Sequence, residues 1–154
     1  MSLMNSTTKL RCILLPTTDY KLILPHSSVE EILPFAVIEE AVDSSHYIMG
    51  TLNWRRYKLP LISMEALNNK PKPEIKRRTR AAVVQFVSAD GELKFFSIIL
   101  SGMPKMIVLS AADLIDIEDD SHPACTVKKV SVNDEQVYIP DMSAIEYVLN
   151  KARK

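Results

Sequence analysis

Short apolar runs separated by turn residues dominate the hydrophobic pattern of this chain, and long runs with a helical period of 3.6 residues are rare. Four pairs of neighbouring runs predict β-hairpins, and one further run predicts a single strand: residues 10–15 with 20–24, 47–54 with 57–62, 81–87 with 93–100, 126–132 with 136–139, and 106–109 alone. The chain is therefore predicted to be mainly β.

Short helical segments are predicted between these strands. Residues 28–33 begin with a serine that can cap a helix, carry early acids, place apolar side chains on one side, and are followed by a proline. Residues 64–67 and 110–114 predict single helical turns. Residues 142–151 predict a C-terminal helix, whose basic end suits the helix dipole.

The two halves of the chain echo one another at a spacing of about 75 to 80 residues, which suggests an internal repeat. Each half is too small to be stable alone. We therefore expect two small antiparallel barrels packed side by side in one folding unit. The predicted units are a single domain over 1–154, with subdomain 1 at roughly 10–70, subdomain 2 at roughly 79–140, and the C-terminal helix at roughly 142–151.

Composition narrows the class of protein further. The 19 Lys and Arg residues balance the 19 Asp and Glu residues, so the overall field favours neither nucleic acid nor acidic lipid. Cys12 and Cys125 are too few for a disulfide framework, although a single bridge stays open. The apolar stretch at 95–104 is half of the roughly 20 residues that a membrane helix needs. Without a secretory pattern near the start, we expect a cytoplasmic protein.

Few residues offer catalytic or metal-binding chemistry. His122 and Cys125 supply two possible ligands where a structural zinc site needs four. His26 lies beside Ser27 and Ser28, but a nucleophile also needs an oriented base and an oxyanion hole. The isolated glycines do not form a phosphate-binding loop. The sequence therefore predicts a protein that is not an enzyme and that holds no metal and no cofactor.

A basic segment at residues 68–80 carries six cations against one acid, with two prolines, and predicts a connection between the subdomains. Small barrels also bind single-stranded nucleic acid, so the cations from Lys70 to Arg80 support an alternative function of that kind. The segment contains no aromatic residue for base stacking, and only Trp54 and Tyr57 lie on nearby strands.

The second predicted hairpin carries the most specific pattern of the sequence. Residues 46–62 read HYIMGTLNWRRYKLPLI. This stretch resembles the signature hairpin of CheW-like chemotaxis coupling proteins, which runs roughly G-h-h-N-h-R-G-x-x-h-P-h-h-D, where h is apolar. Residues 29–32 resemble the family's V-x-E-I segment, and residues 139–142 with the following helix resemble its last strand and C-terminal helix. Order and spacing agree across residues 10–149.

The resemblance implies a fold of two small five-stranded SH3-like barrels and a non-enzymatic adaptor. Such a protein would couple the cytoplasmic tips of chemoreceptors to the regulatory domain of a CheA-type histidine kinase. It would also provide an apolar groove between the barrels, rimmed by Arg55, for a helical receptor tip. The predicted partner-binding residues are Val29, Glu31, Ile32, Met49, Gly50 and Arg55. The other interpretation, that Val29 and Ile32 face the core, stays open.

Two positions depart from the family motif. Arg56 stands where the family has Gly, and Ser63 stands where it has Asp. If the first position needs a positive φ, a residue other than Gly costs about 1 kcal/mol there. Loss of the acid removes an acidic neighbour from that hairpin, so we expect Arg55 to be freer or to pair elsewhere. These departures suggest a divergent member that serves a pilus-type or other non-flagellar chemosensory system.

Overall fold

The computed structural model describes residues 8–40, 45–86, 94–118 and 121–152. Within these ranges the chain forms twelve strands and two α-helices. Their bounds are β1 Lys9–Pro16, β2 Lys21–Pro25, β3 Val29–Pro34, β4 Ile38–Glu40, β5 Ile48–Trp54, β6 Tyr57–Ile62, α1 Met64–Leu67, β7 Arg80–Gln85, β8 Phe95–Leu100, β9 Lys105–Ser110, β10 Leu114–Asp116, β11 Thr126–Val132, β12 Glu135–Pro140 and α2 Met142–Ala152. Three one-turn 3₁₀ helices connect them, at His26–Ser28, Phe35–Val37 and Ala111–Asp113.

All four predicted hairpins form, as β1–β2, β5–β6, β7–β8 and β11–β12, and the predicted single strand is β9. The predicted turn at 89–91 lies outside the described residues. Residues 64–67 and 142–151 are helical as predicted. The helical turn predicted at 110–114 is the 3₁₀ turn at Ala111–Asp113, and the chain then continues as β10.

The helix predicted at 28–33 is wrong, because this segment is the strand β3, paired with β7. A register shift between Val29 and Glu31 inserts one extra residue into the strand. Val29 and Ile32 therefore both pack against the same core cluster, although they are three residues apart. The bulge thus places two apolar residues that are three positions apart on the same side of the strand, and a helix would give the same pattern.

Two curled six-stranded sheets make up the fold. The N-sheet has the order β3-β7-β8-β6-β5-β4, and the C-sheet has the order β10-β11-β12-β2-β1-β9. In the N-sheet the edge strands β3 and β4 are joined by a single 3₁₀ turn between Pro34 and Ile38, which spans at most about 15 Å. The edges of a flat six-stranded sheet would lie about 24 Å apart. The sheet must therefore curl until its edges approach.

The C-sheet is built in the same way, with β9 and β10 at its edges and the 3₁₀ turn Ala111–Asp113 between them. If the two edge strands of a sheet are counted as one bent strand, each sheet has five strands, the number predicted for each barrel. The mainly β, double-barrel prediction is confirmed, and the extra strand in each sheet is the short continuation beyond the turn.

The division of the strands between the sheets differs from the predicted subdomains at 10–70 and 79–140. The hairpin β1–β2 joins the C-sheet by parallel pairing of β2 with β12 at Leu22 and Tyr138. The hairpin β7–β8 joins the N-sheet by parallel pairing of β8 with β6. Each half of the chain therefore gives its first hairpin to the other half's sheet.

The internal repeat is visible in the element order, because each half runs through a hairpin, a bent edge strand, a second hairpin and a helix. The second hairpins and the helices are 78 positions apart, as the helix starts Met64 and Met142 illustrate. Pro60 and Pro140 are 80 positions apart and are therefore not equivalent. Pro60 lies within β6, where only the following residues, Leu61 and Ile62, pair with β8.

In the part of the chain that the structure describes, three apolar clusters are buried. The central core lies between the sheets and takes side chains from β1, β2, β6, α1, β7, β8 and α2. The N-core lies inside the N-sheet, and the C-core lies inside the C-sheet. On β1, Ile13 and Leu15 face the central core, whereas Cys12 and Leu14 face the C-core. The first hairpin of each half is therefore apolar on both faces, which explains its unbroken apolar runs.

A buried carboxylate fastens the first hairpin to the N-sheet. Glu65 of α1 is 3% exposed. Its Oε2 accepts hydrogen bonds from the backbone N–H of Thr18 at 2.8 Å and from the Thr18 hydroxyl at 2.7 Å. Its Oε1 accepts one from the Ser63 hydroxyl at 3.1 Å. The carboxylate thus joins the β1–β2 turn to the start of α1.

Replacement of this carboxylate tests that connection. We expect Glu65→Ala to lower the free energy of unfolding by about 3 kcal/mol, because the Thr18 donors lose a charged acceptor. The matched control is Glu118→Ala, an exposed position where we expect a change within about 0.5 kcal/mol. Urea unfolding measures both. Equal stability of the two variants would contradict the structural role of Glu65.

Candidate partner-binding surfaces

The six residues predicted to bind a partner lie on β3, on β5 and in the turn after β5, and they differ in how far they reach the surface. Val29 and Ile32 are half-buried and pack against the central core. Met49 is 7% exposed and belongs to the N-core. Gly50 is also buried. Of the six, only Glu31 and Arg55 are exposed.

Trp54 connects these two exposed residues. Its indole Nε1 donates a hydrogen bond to Glu31 Oε1 at 2.9 Å. The guanidinium of Arg55 lies over the indole ring, with Cζ 4.3 Å from the ring centroid. Trp54 itself is 3% exposed and packs edge-on against Phe95. A buried aromatic residue therefore fixes an acidic and a basic side chain on one surface, which we call the Trp54 surface (Glu31, Trp54 and Arg55).

The two departures from the motif have local explanations. The positive φ of the β5–β6 turn, 55°, falls on Arg55, and Arg56 is not among the described residues with positive φ. The free-energy cost of a positive φ, which was expected at Arg56, therefore falls on Arg55. Ser63 is buried and caps α1 by accepting a hydrogen bond from the Ala66 N–H at 3.0 Å. It lies beyond the far end of β6 from Arg55, so an acid there would not be a neighbour of Arg55.

Gly50 is required by the close approach of β4. A Cβ atom at this position would lie 2.0 Å from the carbonyl oxygen of Glu39. Gly50 pairs with Glu40 of β4 and with Leu61 of β6. The glycine thus permits the bent edge strand to pair with β5, and it has a structural role under the surface rather than a contact on it.

An apolar pocket of about 380 Å³ opens in the C-sheet, and no sequence feature indicated it. Its wall includes the buried Cys12, Ile23 and Leu109. Leu10 and Leu114, which are 45% and 39% exposed, also line it. Both faces of the flanking strands are apolar, so the sequence pattern alone could not separate these exposed positions from the core.

Both sheets expose apolar side chains beside their bent edge strands, although not at corresponding positions. In the N-sheet these are Phe35 and Val37 of the 3₁₀ turn before β4. In the C-sheet they are Leu114 and Ile115 of β10. We call them the N-edge and the C-edge. Each sheet therefore has one apolar surface beside its bent edge strand, and Leu114 of the C-edge lines the pocket.

Neither cysteine is activated for chemistry. Both are free thiols. Burial raises the pKa of Cys12, and burial together with the nearby charge of Asp141 raises the pKa of Cys125, so both favour the protonated form. Among the described residues no group of three or more His, Cys, Asp and Glu side chains could hold a metal ion. His122 instead contacts the Thr126 hydroxyl at 3.0 Å, at the start of β11.

Within the described ranges, no helix combines the length and apolar character needed to cross a bilayer. The aromatic residues near the basic segment offer little area for base stacking, since Trp54 is buried and covered by Arg55, and Tyr57 is 36% exposed. Single-stranded nucleic-acid binding stays the alternative prediction.

Two curled sheets joined by exchanged hairpins thus define a small double-barrel β-protein. A model of the CheW-like domain matches residues 11–147. The chain therefore belongs to the CheW family. This membership supports a role as a scaffolding or coupling adaptor in chemotaxis, and members of this family are non-enzymatic proteins that couple receptors and CheA.

A solved structure supports the fold. The chain is similar to the scaffolding protein TtCheW from Thermoanaerobacter tengcongensis, with a TM-score of 0.70 and 13% sequence identity. The match covers 86% of this chain and 89% of that chain. No curated protein matches.

The contact at Gly50 gives a prediction about the candidate site. We expect Gly50→Ala to lower the free energy of unfolding by about 2 kcal/mol or more, because the methyl group would displace β4. Gly102→Ala is the control, because a Cβ atom there meets nothing within 4 Å. Urea unfolding followed by the fluorescence of Trp54, the single tryptophan, measures both. A Gly50→Ala variant as stable as the control would contradict the close approach.

Proposed function

We propose that this protein couples chemoreceptors to a CheA-type histidine kinase by binding each partner on a different surface. The observation that carries the proposal is the apolar pocket of about 380 Å³ beside the C-edge. A concave apolar surface with exposed apolar side chains at its rim is suited to receive an apolar group of a partner. Family membership supports these partners, and the geometry supports the separation of their surfaces.

The kinase's regulatory domain binds at the C-edge in this proposal. Leu10 and Leu114 line the pocket and are also exposed at its rim, so an apolar side chain of the partner would be buried against both. Complete burial of one such side chain is worth roughly 1.5 to 3 kcal/mol. The N-edge offers a related surface to a second domain of similar shape, which suits a scaffold that contacts more than one neighbour.

The helical receptor tip binds at the Trp54 surface and the adjoining β3. Glu31 and Arg55 present opposite charges there, and the Trp54 indole holds both in place. Val29 and Ile32 contribute their half-exposed parts. In this arrangement Met49 and Gly50 support the surface from below and make no contact with the receptor.

The pathway is part of the proposal. The residues Arg56 and Ser63 replace the family's Gly and Asp in its signature hairpin. We propose on this ground that the protein serves a pilus-type or other non-flagellar system. Affinity capture of the protein from its native cell tests the whole proposal, since a chemoreceptor and a CheA-type kinase should be recovered together. Recovery of neither would contradict it.

Substitution of the guanidinium tests the receptor surface. We expect Arg55→Ala to reduce receptor recovery about tenfold or more and to leave kinase recovery unchanged, because it removes the exposed cation held by Trp54. Arg56→Ala is the matched control, since Arg56 is an equally exposed neighbour in the same turn. Equal receptor recovery with the two variants would refute this assignment.

Substitution at the pocket rim tests the kinase surface. We expect Leu114→Arg to reduce kinase recovery about tenfold or more, because a buried unpaired charge is costly, while receptor recovery stays unchanged. Val127→Arg is the control, because Val127 is a 50% exposed apolar residue on the same sheet and does not line the pocket. The assignment fails if Leu114→Arg reduces both recoveries, or if the control reduces kinase recovery equally.

A further inference from the structure

The basic segment folds against the N-sheet instead of running free between two units. Ile75 packs against the N-core, and Thr79 is 4% exposed. The Lys76 N–H donates a hydrogen bond to the Thr79 hydroxyl at 2.8 Å, and the Thr79 N–H donates one to the Lys76 carbonyl at 3.0 Å. The side chains of Lys76 and Arg78 therefore extend from a closed and anchored turn.

This turn forms one wall of a cleft of about 270 Å³, which we call the basic cleft. The opposite wall includes Thr18 of the β1–β2 turn and Ser101, which follows β8. Ile99 and Leu100, both buried, also line it. Glu65 holds Thr18 by two hydrogen bonds, so the opposite wall is fixed as well. The volume is slightly below the range of about 300 to 1,000 Å³ found for small-molecule pockets.

The charge of the cleft favours an anion. Lys76 and Arg78 line it together with a single acid, Glu74. Among the described residues neither cation forms an ion pair. Arg80 adds positive charge nearby, with its guanidinium donating to the carbonyls of Arg77 and Thr79. Two cations against one acid leave the lining of the cleft with a net positive charge, which attracts an anion.

The available donors match a phosphoryl group. The Thr79 hydroxyl oxygen accepts from the Lys76 N–H, which leaves the hydroxyl hydrogen for a ligand oxygen. An arginine fork, a lysine ammonium and a hydroxyl together can bind the several oxygens of a phosphate. A phosphate alone fills only part of the cleft, which leaves the half-buried Pro73 on its wall for an organic group attached to the phosphate.

We propose that the basic cleft binds a small phosphorylated compound, with its phosphate held by Lys76, Arg78 and the Thr79 hydroxyl. None of the residues that line the basic cleft belongs to the Trp54 surface or to the C-edge. Its occupation does not depend on the coupling function. Free phosphate and a nucleoside monophosphate share the chemistry that these donors recognise, and the organic part distinguishes them.

The test uses the full chain and three probes: inorganic phosphate, adenosine 5′-monophosphate and adenosine. Amide shifts in two-dimensional NMR report where each probe binds, and calorimetry reports its affinity. We expect both phosphorylated probes to shift the Thr79 and Ser101 amides, with the monophosphate binding more tightly, and we expect adenosine to have no effect. Absence of these shifts at millimolar concentrations of both phosphorylated probes would overturn the proposal.

A pair of double variants separates the cleft from the general charge of the segment. We expect Lys76→Ala with Arg78→Ala to weaken binding of the monophosphate about tenfold or more, because both charged donors are lost. Lys70→Ala with Arg77→Ala removes the same charge from positions that do not line the cleft, and it should change affinity less than about threefold. If both double variants weaken binding of the monophosphate equally, the basic surface is diffuse and the proposal is overturned. The same holds if single-stranded RNA binds more tightly than the monophosphate and both double variants weaken RNA binding equally.

Discussion

The burial of two hairpins on both of their faces is the constraint on which the rest of the structure depends. In β1–β2 and in β7–β8, alternate side chains face the central core and the interior of one sheet. A hairpin of this kind needs cover on two sides, and one half of the chain cannot provide it. Exchange of the hairpins satisfies both halves, because each hairpin pairs within one sheet and packs against the other.

The same constraint decides where surface remains for partners. The first hairpins are largely buried on both faces, and the exposed apolar side chains include those of the N-edge and the C-edge, beside the bent edge strands. These places are held by regular structure: the N-edge by the approach of β4 to Gly50, and the Trp54 surface by the indole hydrogen bond to Glu31. The surfaces proposed for partners are thus supported by the frame that the hairpins create.

The hairpins could be predicted because turn residues separate their apolar runs, and the motif at residues 46–62 identified the family. The exchange of the hairpins could not be predicted, because a run that is apolar on both faces gives no sign of the sheet that it joins. The bulge in β3 could not be predicted either, because the three-residue spacing of Val29 and Ile32 fits a helix and a bulged strand equally well.

The candidate site was predicted only in part. Arg55 and Glu31 are exposed as a contact role requires, but their connection through Trp54 depends on a fold that brings β3 and the β5–β6 turn together. Met49 and Gly50 matched the motif and lie beneath the surface. The pocket lined by Leu10 and Leu114 joins residues about a hundred positions apart, and no local pattern reports such a contact.

The exchanged hairpins also restrict how the molecule can move. A hinge between the N-sheet and the C-sheet would have to pull β1–β2 or β7–β8 out of a fully covered layer, at the cost of the central core. The Glu65 carboxylate adds a clamp at the same junction. The N-sheet and the C-sheet should therefore move as one rigid body. A force on one sheet would rotate the whole molecule and would not bend it between the sheets.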